Sequence, residues 1–204
     1  MSEPLKVGLV GTGGIATRHL TAYLERTDRV QLTAVCDVVE NLAQDFAKAA
    51  GVKAIYTDID EMLREADIDA VDVCTSHDYH APLTIAAAQA GKHVIVEKPM
   101  AISVQECRDM IAAADNSGVI LMVAQHLRYA PEAYAAKRFI DEGQLGKIEA
   151  ARIELFGGGG VRRQRPRDPR RGERWMQDAK RSGGGMLMSE QVHHIDLMRH
   201  YVGN

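Results

Sequence analysis

The stretch that decides the fold is Leu5-Lys6-Val7-Gly8-Leu9-Val10-Gly11-Thr12-Gly13-Gly14-Ile15-Ala16. Its apolar first half predicts a buried strand, and its glycines predict a tight turn that opens a helix from Ile15 to Leu24. The turn fits the pattern G-x-G-x-x-A. The first glycine of that pattern permits the turn, the second lets the backbone approach a pyrophosphate, and the small last residue keeps the helix close to the strand. The stretch therefore predicts a dinucleotide-binding turn, with a purely structural turn as the alternative.

Outward from this turn, strand-sized apolar runs alternate with helical segments as far as Gln125. Short connections between alternating strands and helices are typical of a parallel, doubly wound sheet with helices on both faces. We therefore predict an α/β fold in which residues 1–125 form an NAD(P)-binding Rossmann domain, with ligands at the carboxyl ends of the strands. The predicted strands are Leu5–Val10, Val30–Val35, Ile55-Tyr56, Ala70–Cys74, His93–Val96 and Val119–Ala124.

The pattern changes over residues 126–204. Pro131–Glu142 and Met186–Val202 predict helices, whereas Lys147–Phe156 predicts one long strand. A single strand leaves both of its edges unpaired and is not a stable sheet, so we expect an incomplete α/β (α+β) domain. Its missing strands are expected either later in a longer protein or in another chain.

The composition narrows the class of protein. The chain has 204 residues, of which 46% are hydrophobic and 26% charged, and its formal net charge is −3. These values are ordinary for a globular protein, and the slightly acidic balance predicts neither a nucleic-acid nor a membrane partner. The three cysteines, Cys36, Cys74 and Cys107, are widely spaced and form no metal-ligand pattern. They are typical of a reducing cytoplasm, so we expect a cytoplasmic protein with no bound metal.

An acidic residue ends the second predicted strand. Asp37 stands where a carboxylate can accept hydrogen bonds from the ribose hydroxyls of an adenosine. Its charge would repel a 2′-phosphate, and the residues that follow, Val38-Val39-Glu40-Asn41, include no arginine to bind one. The sequence therefore favours NAD over NADP as the cofactor.

Further motifs carry a family resemblance. The most specific is Glu97-Lys98-Pro99 after the fifth predicted strand, and it is accompanied by Gly91–Val96, Gly143–Ile148, Gly183-Gly184-Gly185 and His193-His194-Ile195-Asp196. Together with the glycine turn, these pieces make the chain resemble the glucose–fructose oxidoreductase/inositol dehydrogenase/rhizopine catabolism (Gfo/Idh/MocA) family. The resemblance implies a Rossmann domain followed by a substrate and oligomerisation domain. It also implies NAD(P)-dependent oxidation or reduction of a sugar, inositol or related polyol carbon.

Within this resemblance, two residues are implied to be catalytic. Lys98 follows a strand and so lies at the crevice, where a positioned acid/base contributes about 10²–10⁴-fold to hydride transfer. His193 matches the histidine of the family's Asp-x-x-x-His motif, but Ser189 stands where the family has Asp, and Glu190 is adjacent to that position. Asp196, three residues after His193, is expected either to orient that histidine or to be an ordinary polar residue of the helix.

The family's cofactor-lining loop is matched in part at Cys74-Thr75-Ser76-His77-Asp78-Tyr79-His80. Ser76 and His77 replace the usual Pro and Asn, so a contact through the backbone of this loop is retained while a specific Asn contact is lost. The implied cofactor-binding set is Gly11, Thr12, Gly13, Gly14, Ile15, Asp37, Cys74, Thr75, His77, His80, Glu97 and Lys98. The implied substrate-binding set is Lys98, Arg128, Trp175, Ser189, Glu190 and His193, with a structural salt bridge as the alternative for Arg128 and a core position as the alternative for Trp175.

Seven arginines lie between Arg162 and Arg174. A solvated loop, a site for an anionic sugar and a contact between subunits all remain open for this segment. For the whole chain, the leading hypothesis is a sugar or polyol dehydrogenase or reductase. The alternatives are a glycosidase or lyase that uses transient oxidation and a non-catalytic NAD-binding regulator. Family chains continue well past the last predicted helix, so we expect the chain to be a truncated reading of a longer protein that forms a homo-oligomer.

Overall fold

The glycine turn and the strand before it lie at the centre of a six-stranded parallel sheet in the computed structural model, which describes residues 3–154, 168–171 and 175–203. The order of the strands across the sheet is β3-β2-β1-β4-β5-β6. This order reverses direction between β1 and β4, which is the switch point where doubly wound sheets bind ligands. The strands are β1 (Leu5–Val10), β2 (Val30–Cys36), β3 (Ala54–Tyr56), β4 (Ala70–Val73), β5 (His93–Val96) and β6 (Leu121–Val123).

Helices cover both faces of the sheet, as the alternation predicts. The helices are α1 (Ala16–Glu25), α2 (Glu40–Ala50), α3 (Ile59–Glu65), α4 (His80–Gln89), α5 (Val104–Ser117), α6 (Pro131–Asp141), α7 (Ala179–Ser182) and α8 (Val192–Val202). The start of α5 is fixed by a capping box, in which Ser103 and Glu106 satisfy each other's main-chain N–H groups. No helix among the described residues combines the length and the apolarity needed to cross a bilayer.

The carboxyl ends of the strands are aligned by the register of the sheet. Val10 of β1 is paired with Val73 of β4, which in turn is paired with Val96 of β5. The residues that follow these strand ends therefore form one row along an edge of the sheet. That row contains Gly11, Cys74 and Glu97, and Asp37 extends it beyond β2.

The long strand predicted for Lys147–Phe156 is wrong over residues 147–154, which form no strand in the structure. All six strands of the described sheet come from residues 5–123, so this segment has no β-partner among the described residues. An extended segment needs a neighbouring strand to satisfy its backbone groups, and its apolar pattern alone does not form a sheet. The rest of the predicted strand, the glycine run 157–160 and most of the arginine-rich segment lie outside the described residues.

The last predicted helix exists, but it is not uniform. A π-helical turn over Leu187–Gln191 precedes α8. The π turn was not predicted, because the apolar spacing of the sequence does not distinguish it from an α-helical turn. Such turns are rare and occur frequently at functional sites.

Candidate active site

The glycine turn after β1 is shaped by a close contact with the end of β4. Gly11 has a φ of +88°, and a Cβ at this residue would lie 2.8 Å from Thr75 Cγ2 and 2.9 Å from the Cys74 carbonyl oxygen. Glycine is therefore required here both by conformation and by space. Around Gly14, in contrast, no described atom would lie within 4 Å of an added Cβ, so this side of the turn is open.

Helix α1 begins at this open side. No described side chain caps its amino terminus, and its first turn contains no acidic residue. Free N–H groups and the positive end of a helix dipole favour an anion. The turn and the helix start thus fit the pyrophosphate of a dinucleotide.

Asp37 is fixed beside the turn. Its Oδ2 accepts hydrogen bonds from the Thr12 main-chain N–H at 2.8 Å and from the Thr12 hydroxyl at 2.7 Å, and its Oδ1 accepts one from the Val39 N–H at 2.9 Å. An ionised carboxylate can accept about four hydrogen bonds. Asp37 therefore retains capacity for about one more hydrogen bond, from a ribose hydroxyl, while it links the turn to the end of β2.

Lys98, which follows Glu97 at the end of β5, lies between the sheet and the π turn. Its main-chain N–H donates to Glu97 Oε2 at 3.0 Å, and its ammonium donates to the Ser189 carbonyl oxygen at 2.5 Å. The contact with Ser189 uses the main chain, so it does not depend on which side chain stands at that position. Glu190 is exposed next to it.

His193 is buried at the start of α8. Its Nδ1 donates to Gln125 Oε1 at 2.7 Å, and its ring meets that of His126 edge-on with centroids 4.6 Å apart. Burial and the nearby charge of Lys98 lower the pKa of His193 to about 4. The ring is therefore neutral at pH 7, and with the proton on Nδ1 its Nε2 presents a lone pair.

The partner of His193 is Gln125, which sequence reasoning missed, and not Asp196. Of the two roles left open for Asp196, the structure does not show the orienting of His193, because the Asp196 carboxylate is engaged by Arg128. The guanidinium of Arg128 donates through Nε at 2.6 Å and through Nη2 at 2.5 Å. A two-point pair of this kind matches the structural salt bridge that the sequence left open for Arg128.

The loop after β4 is held by two buried histidines. His77 donates through Nδ1 to the Ser182 carbonyl oxygen at 2.9 Å, and His80 lies with Nδ1 2.8 Å from the Pro99 carbonyl oxygen. Burial lowers the pKa of both rings. Both side chains thus fix the loop instead of facing a crevice, and contact of this loop with a cofactor stays a prediction for its backbone.

Trp175 packs on this loop. Its ring is half-buried and meets His77 edge-on, with centroids 4.5 Å apart. This contact places Trp175 beside the loop after β4, and its role in substrate binding stays a prediction. In the arginine-rich segment, the described Arg170 forms ion pairs with Asp168 and with Asp45 of α2.

A buried polar cluster behind the row of strand ends was not predicted. It joins His19 and Tyr23 of α1, Asp72 and Cys74 at the end of β4, and Glu97. The signal in the sequence was Asp72, a charged residue inside the otherwise apolar strand Ala70–Val73. His19, Asp72 and Cys74 place one possible ligand atom each within 4.8 Å of the others. Hydrogen bonds account for the arrangement of these three side chains, and burial raises the pKa of the Cys74 thiol to about 12.

The fold and the site together define a dinucleotide-binding Rossmann protein whose acid/base candidate follows β5. The chain belongs to the Gfo/Idh/MocA family of oxidoreductases. The family model described as an oxidoreductase family with an NAD-binding Rossmann fold matches residues 5–125, and the model of the Gfo/Idh/MocA C-terminal domain matches residues 134–204.

Named relatives agree with this assignment. The chain is 31% identical over 192 residues to 1,5-anhydro-D-fructose reductase of Ensifer adhaerens, covering 94% of this chain and 55% of that protein. It is 30% identical to myo-inositol 2-dehydrogenase of Thermotoga maritima, with coverages of 98% and 55%. The chain thus spans about half the length of the curated relatives it matches.

Solved structures share the fold over the whole chain. The WlbA dehydrogenase of Bordetella pertussis, in complex with NADH and UDP-GlcNAcA, matches with a TM-score of 0.88 and 30% identity, covering 100% of this chain and 56% of that one. A levoglucosan dehydrogenase in complex with NADH and levoglucosan matches with a TM-score of 0.83 and 28% identity, covering 98% and 55%.

The low pKa of His193 gives a testable pH dependence. An ordinary histidine titrates at 6.5 and His193 at about 4. Between these two pH values, His193 is protonated in the unfolded chain but neutral in the folded chain. Protonation therefore stabilises the unfolded chain, and the free energy of unfolding decreases as the pH falls from 6.5 to 4. We expect an NMR titration of the histidine rings to show the low midpoint of His193.

The same titration tests the electrostatic effect of Lys98 on His193. Lys98→Met removes a positive charge and is expected to move the midpoint of His193 upward. Lys92→Met is the matched control, since the Lys92 ammonium binds the Ile68 carbonyl oxygen away from this site. An unchanged midpoint in Lys98→Met would show that the two side chains are not electrostatically coupled.

Proposed function

We propose that the protein is an NAD-dependent oxidoreductase that transfers a hydride between the nicotinamide and a sugar, inositol or related polyol carbon. The observation that carries this proposal is the position of Lys98. Lys98 comes directly after Glu97, which lies in the same row of strand ends as the glycine turn. Its ammonium binds the π turn that precedes His193. An acid/base is thus held between a dinucleotide site and the π turn that precedes His193.

The chain's own residues have separate tasks in this reaction. The nicotinamide, when bound, supplies the hydride acceptor or donor. As the neutral amine, Lys98 Nζ takes the proton of the reacting hydroxyl during oxidation and becomes the ammonium, and as the ammonium it returns that proton during reduction. His193 is neutral, so its Nε2 can accept a hydrogen bond from a substrate hydroxyl and orient the sugar.

The preference for NAD rests on Asp37. Its carboxylate is fixed within the site by Thr12 and would repel a 2′-phosphate. The two solved structures described above hold NADH, which supports the same choice for this chain.

The remaining parts of the proposal concern the whole protein. We propose that residues 1–125 bind the cofactor and that residues 126–204 belong to a substrate and oligomerisation domain of a homo-oligomer. Free thiols at Cys36, Cys74 and Cys107 support a cytoplasmic location, and a net charge of −3 supports the absence of a nucleic-acid or membrane partner.

A substrate panel tests the function. The full-length protein is mixed with sugars, inositols and their acidic derivatives in the presence of NAD or NADP, and the nicotinamide absorbance is followed. We expect stoichiometric NADH from at least one polyol, with NAD preferred over NADP. Product formation without net NADH would instead support transient oxidation, and binding of NAD without any turnover would support a regulatory protein.

A further inference from the structure

The buried cluster behind the active site is organised around one imidazole ring. His19 Nδ1 lies 2.7 Å from Asp72 Oδ2, and His19 Nε2 lies 3.0 Å from Glu97 Oε1. Both carboxylates are buried, with exposures of 0% for Asp72 and 5% for Glu97. Tyr23 donates a further hydrogen bond to Asp72 Oδ2 at 2.6 Å.

This geometry favours a positively charged ring. Each ring nitrogen of His19 faces a carboxylate oxygen, and only the doubly protonated imidazolium donates from both nitrogens. Burial by itself would lower the pKa of His19, but the hydrogen bonds with Asp72, Cys74 and Glu97 raise it to about 12. A buried carboxylate without such a partner would take up a proton.

Glu97 connects this ring to Lys98. One carboxylate oxygen, Oε1, accepts from His19, and the other, Oε2, accepts from the main-chain N–H of Lys98. The imidazolium keeps the Glu97 carboxylate ionised. Because an ionised carboxylate is a stronger acceptor than a protonated one, the imidazolium also strengthens the hydrogen bond that fixes the backbone of Lys98. Helix α1, whose start forms the dinucleotide site, is thereby joined to the acid/base at the end of β5.

We propose that His19 is a positioning residue, which acts through Glu97 to hold Lys98 in its reactive position. This inference rests on the proposed function, because it assigns a role in the turnover attributed to Lys98. The two ring nitrogens have different roles in this proposal. The Nε2 side, which faces Glu97, matters for turnover, whereas the Nδ1 side, which faces Asp72, serves the packing of α1 on β4.

Two neutral variants separate the two sides of the ring. His19→Gln places an amide near the former Nε2 and keeps a donor for Glu97, whereas His19→Asn places its amide near the former Nδ1 and keeps a donor for Asp72. We expect His19→Asn to lower kcat by about 10–100-fold, the loss typical of a displaced catalytic group, and His19→Gln to lower kcat clearly less, because it keeps the donor for Glu97 and loses only the charge. We also expect both variants to bind NADH with nearly unchanged Kd, measured by calorimetry.

Tyr23→Phe is the matched control. It removes a hydrogen bond from Asp72 without touching Glu97, so we expect lower stability and an unchanged kcat. Equal losses of kcat in His19→Asn, His19→Gln and Tyr23→Phe would overturn the proposal, because they would indicate a general structural role. An active wild-type protein whose His19→Asn variant keeps full kcat would overturn it as well.

Two further measurements keep the inference testable if a His19 variant does not fold. In the wild-type protein, an NMR spectrum of the imidazole nitrogens should show His19 doubly protonated at pH 9, and a neutral ring would contradict the proposal. Glu97→Gln should lower kcat with folding retained, and an unchanged kcat would contradict it. Failure of the proposed function gives a different result, namely a wild-type protein that turns over no polyol, whether or not it binds NADH.

Discussion

Lys98→Met is expected to lower kcat for the oxidation of a responsive polyol by about 10²–10⁴-fold, the contribution of a positioned general acid/base. Methionine has a similar length and shape but cannot carry a proton. The Kd of NADH should change little, because the glycine turn and Asp37 are unaltered by this substitution. The loss should therefore appear in kcat and not in cofactor binding, as steady-state kinetics and calorimetry can show.

The structure also indicates what Lys98→Met does to the fold. The ammonium makes one described contact across to the π turn, with the Ser189 carbonyl oxygen, and loss of a single partly exposed hydrogen bond costs about 0.5–1.5 kcal/mol. A variant that remains folded and inactive is thus the expected outcome. Lys92→Met serves as the control for loss of a lysine near β5, and it should be fully active. Unaltered turnover in folded Lys98→Met would show that another group moves the proton.

The glycine turn and the strand ends could be predicted from the sequence because their signals are local. Strand β1, the turn and the start of α1 are contiguous, and each element has its own pattern of apolar residues and glycines. Asp37 was found in the same way, since it directly follows an apolar strand. The parallel register then aligns Gly11, Cys74 and Glu97, which is a property of the fold class.

The cluster around His19 could not be predicted in this way. His19 is 53 residues from Asp72 and 78 residues from Glu97, and nothing local marks it as a partner of either. The same holds for Gln125 and His193, which are 68 residues apart. These contacts depend on how α1 lies against the sheet and how α8 lies against the segment after β6, and a helical period alone does not determine that.

The strand predicted over residues 147–154 does not form, and the reason lies in how strands and helices satisfy their backbone hydrogen bonds. A helix satisfies its hydrogen bonds within its own segment, so the apolar pattern was sufficient for α6 and α8. A strand needs a neighbour, and the described part of the chain offers none to this segment. The local apolar pattern therefore predicted the helices of residues 126–204, but it could not predict the conformation of residues 147–154.

Gly11→Ala is expected to be the most damaging small substitution in the glycine turn. A residue other than glycine at a φ of +88° is strained by about 1–3 kcal/mol. The added methyl group would also lie 2.9 Å from the Cys74 carbonyl oxygen, a backbone atom that cannot rotate away. Overpacking of this kind costs a further ~1–3 kcal/mol.

The turn has two ways to respond: the first lowers the stability of the fold, and the second weakens cofactor binding. If it keeps its place, the strain lowers the free energy of unfolding. If it withdraws from Cys74, it carries Thr12 away from Asp37 and disturbs the carboxylate that faces the ribose. We expect the Kd of NADH to rise by about tenfold or more, which corresponds to ~1.4 kcal/mol of the strain appearing in binding.

Gly51→Ala separates the backbone strain of a positive φ from the steric contact of the added methyl group. Gly51 ends α2 with a φ of +70°, but no described atom would lie within 4 Å of its added Cβ. This control should therefore lose only the conformational part of the stability and should bind NADH as the wild-type protein does. Urea denaturation and calorimetry on both variants provide the comparison. If Gly11→Ala matched Gly51→Ala in stability and in NADH affinity, the contact between the turn and the end of β4 would not be what shapes the cofactor site.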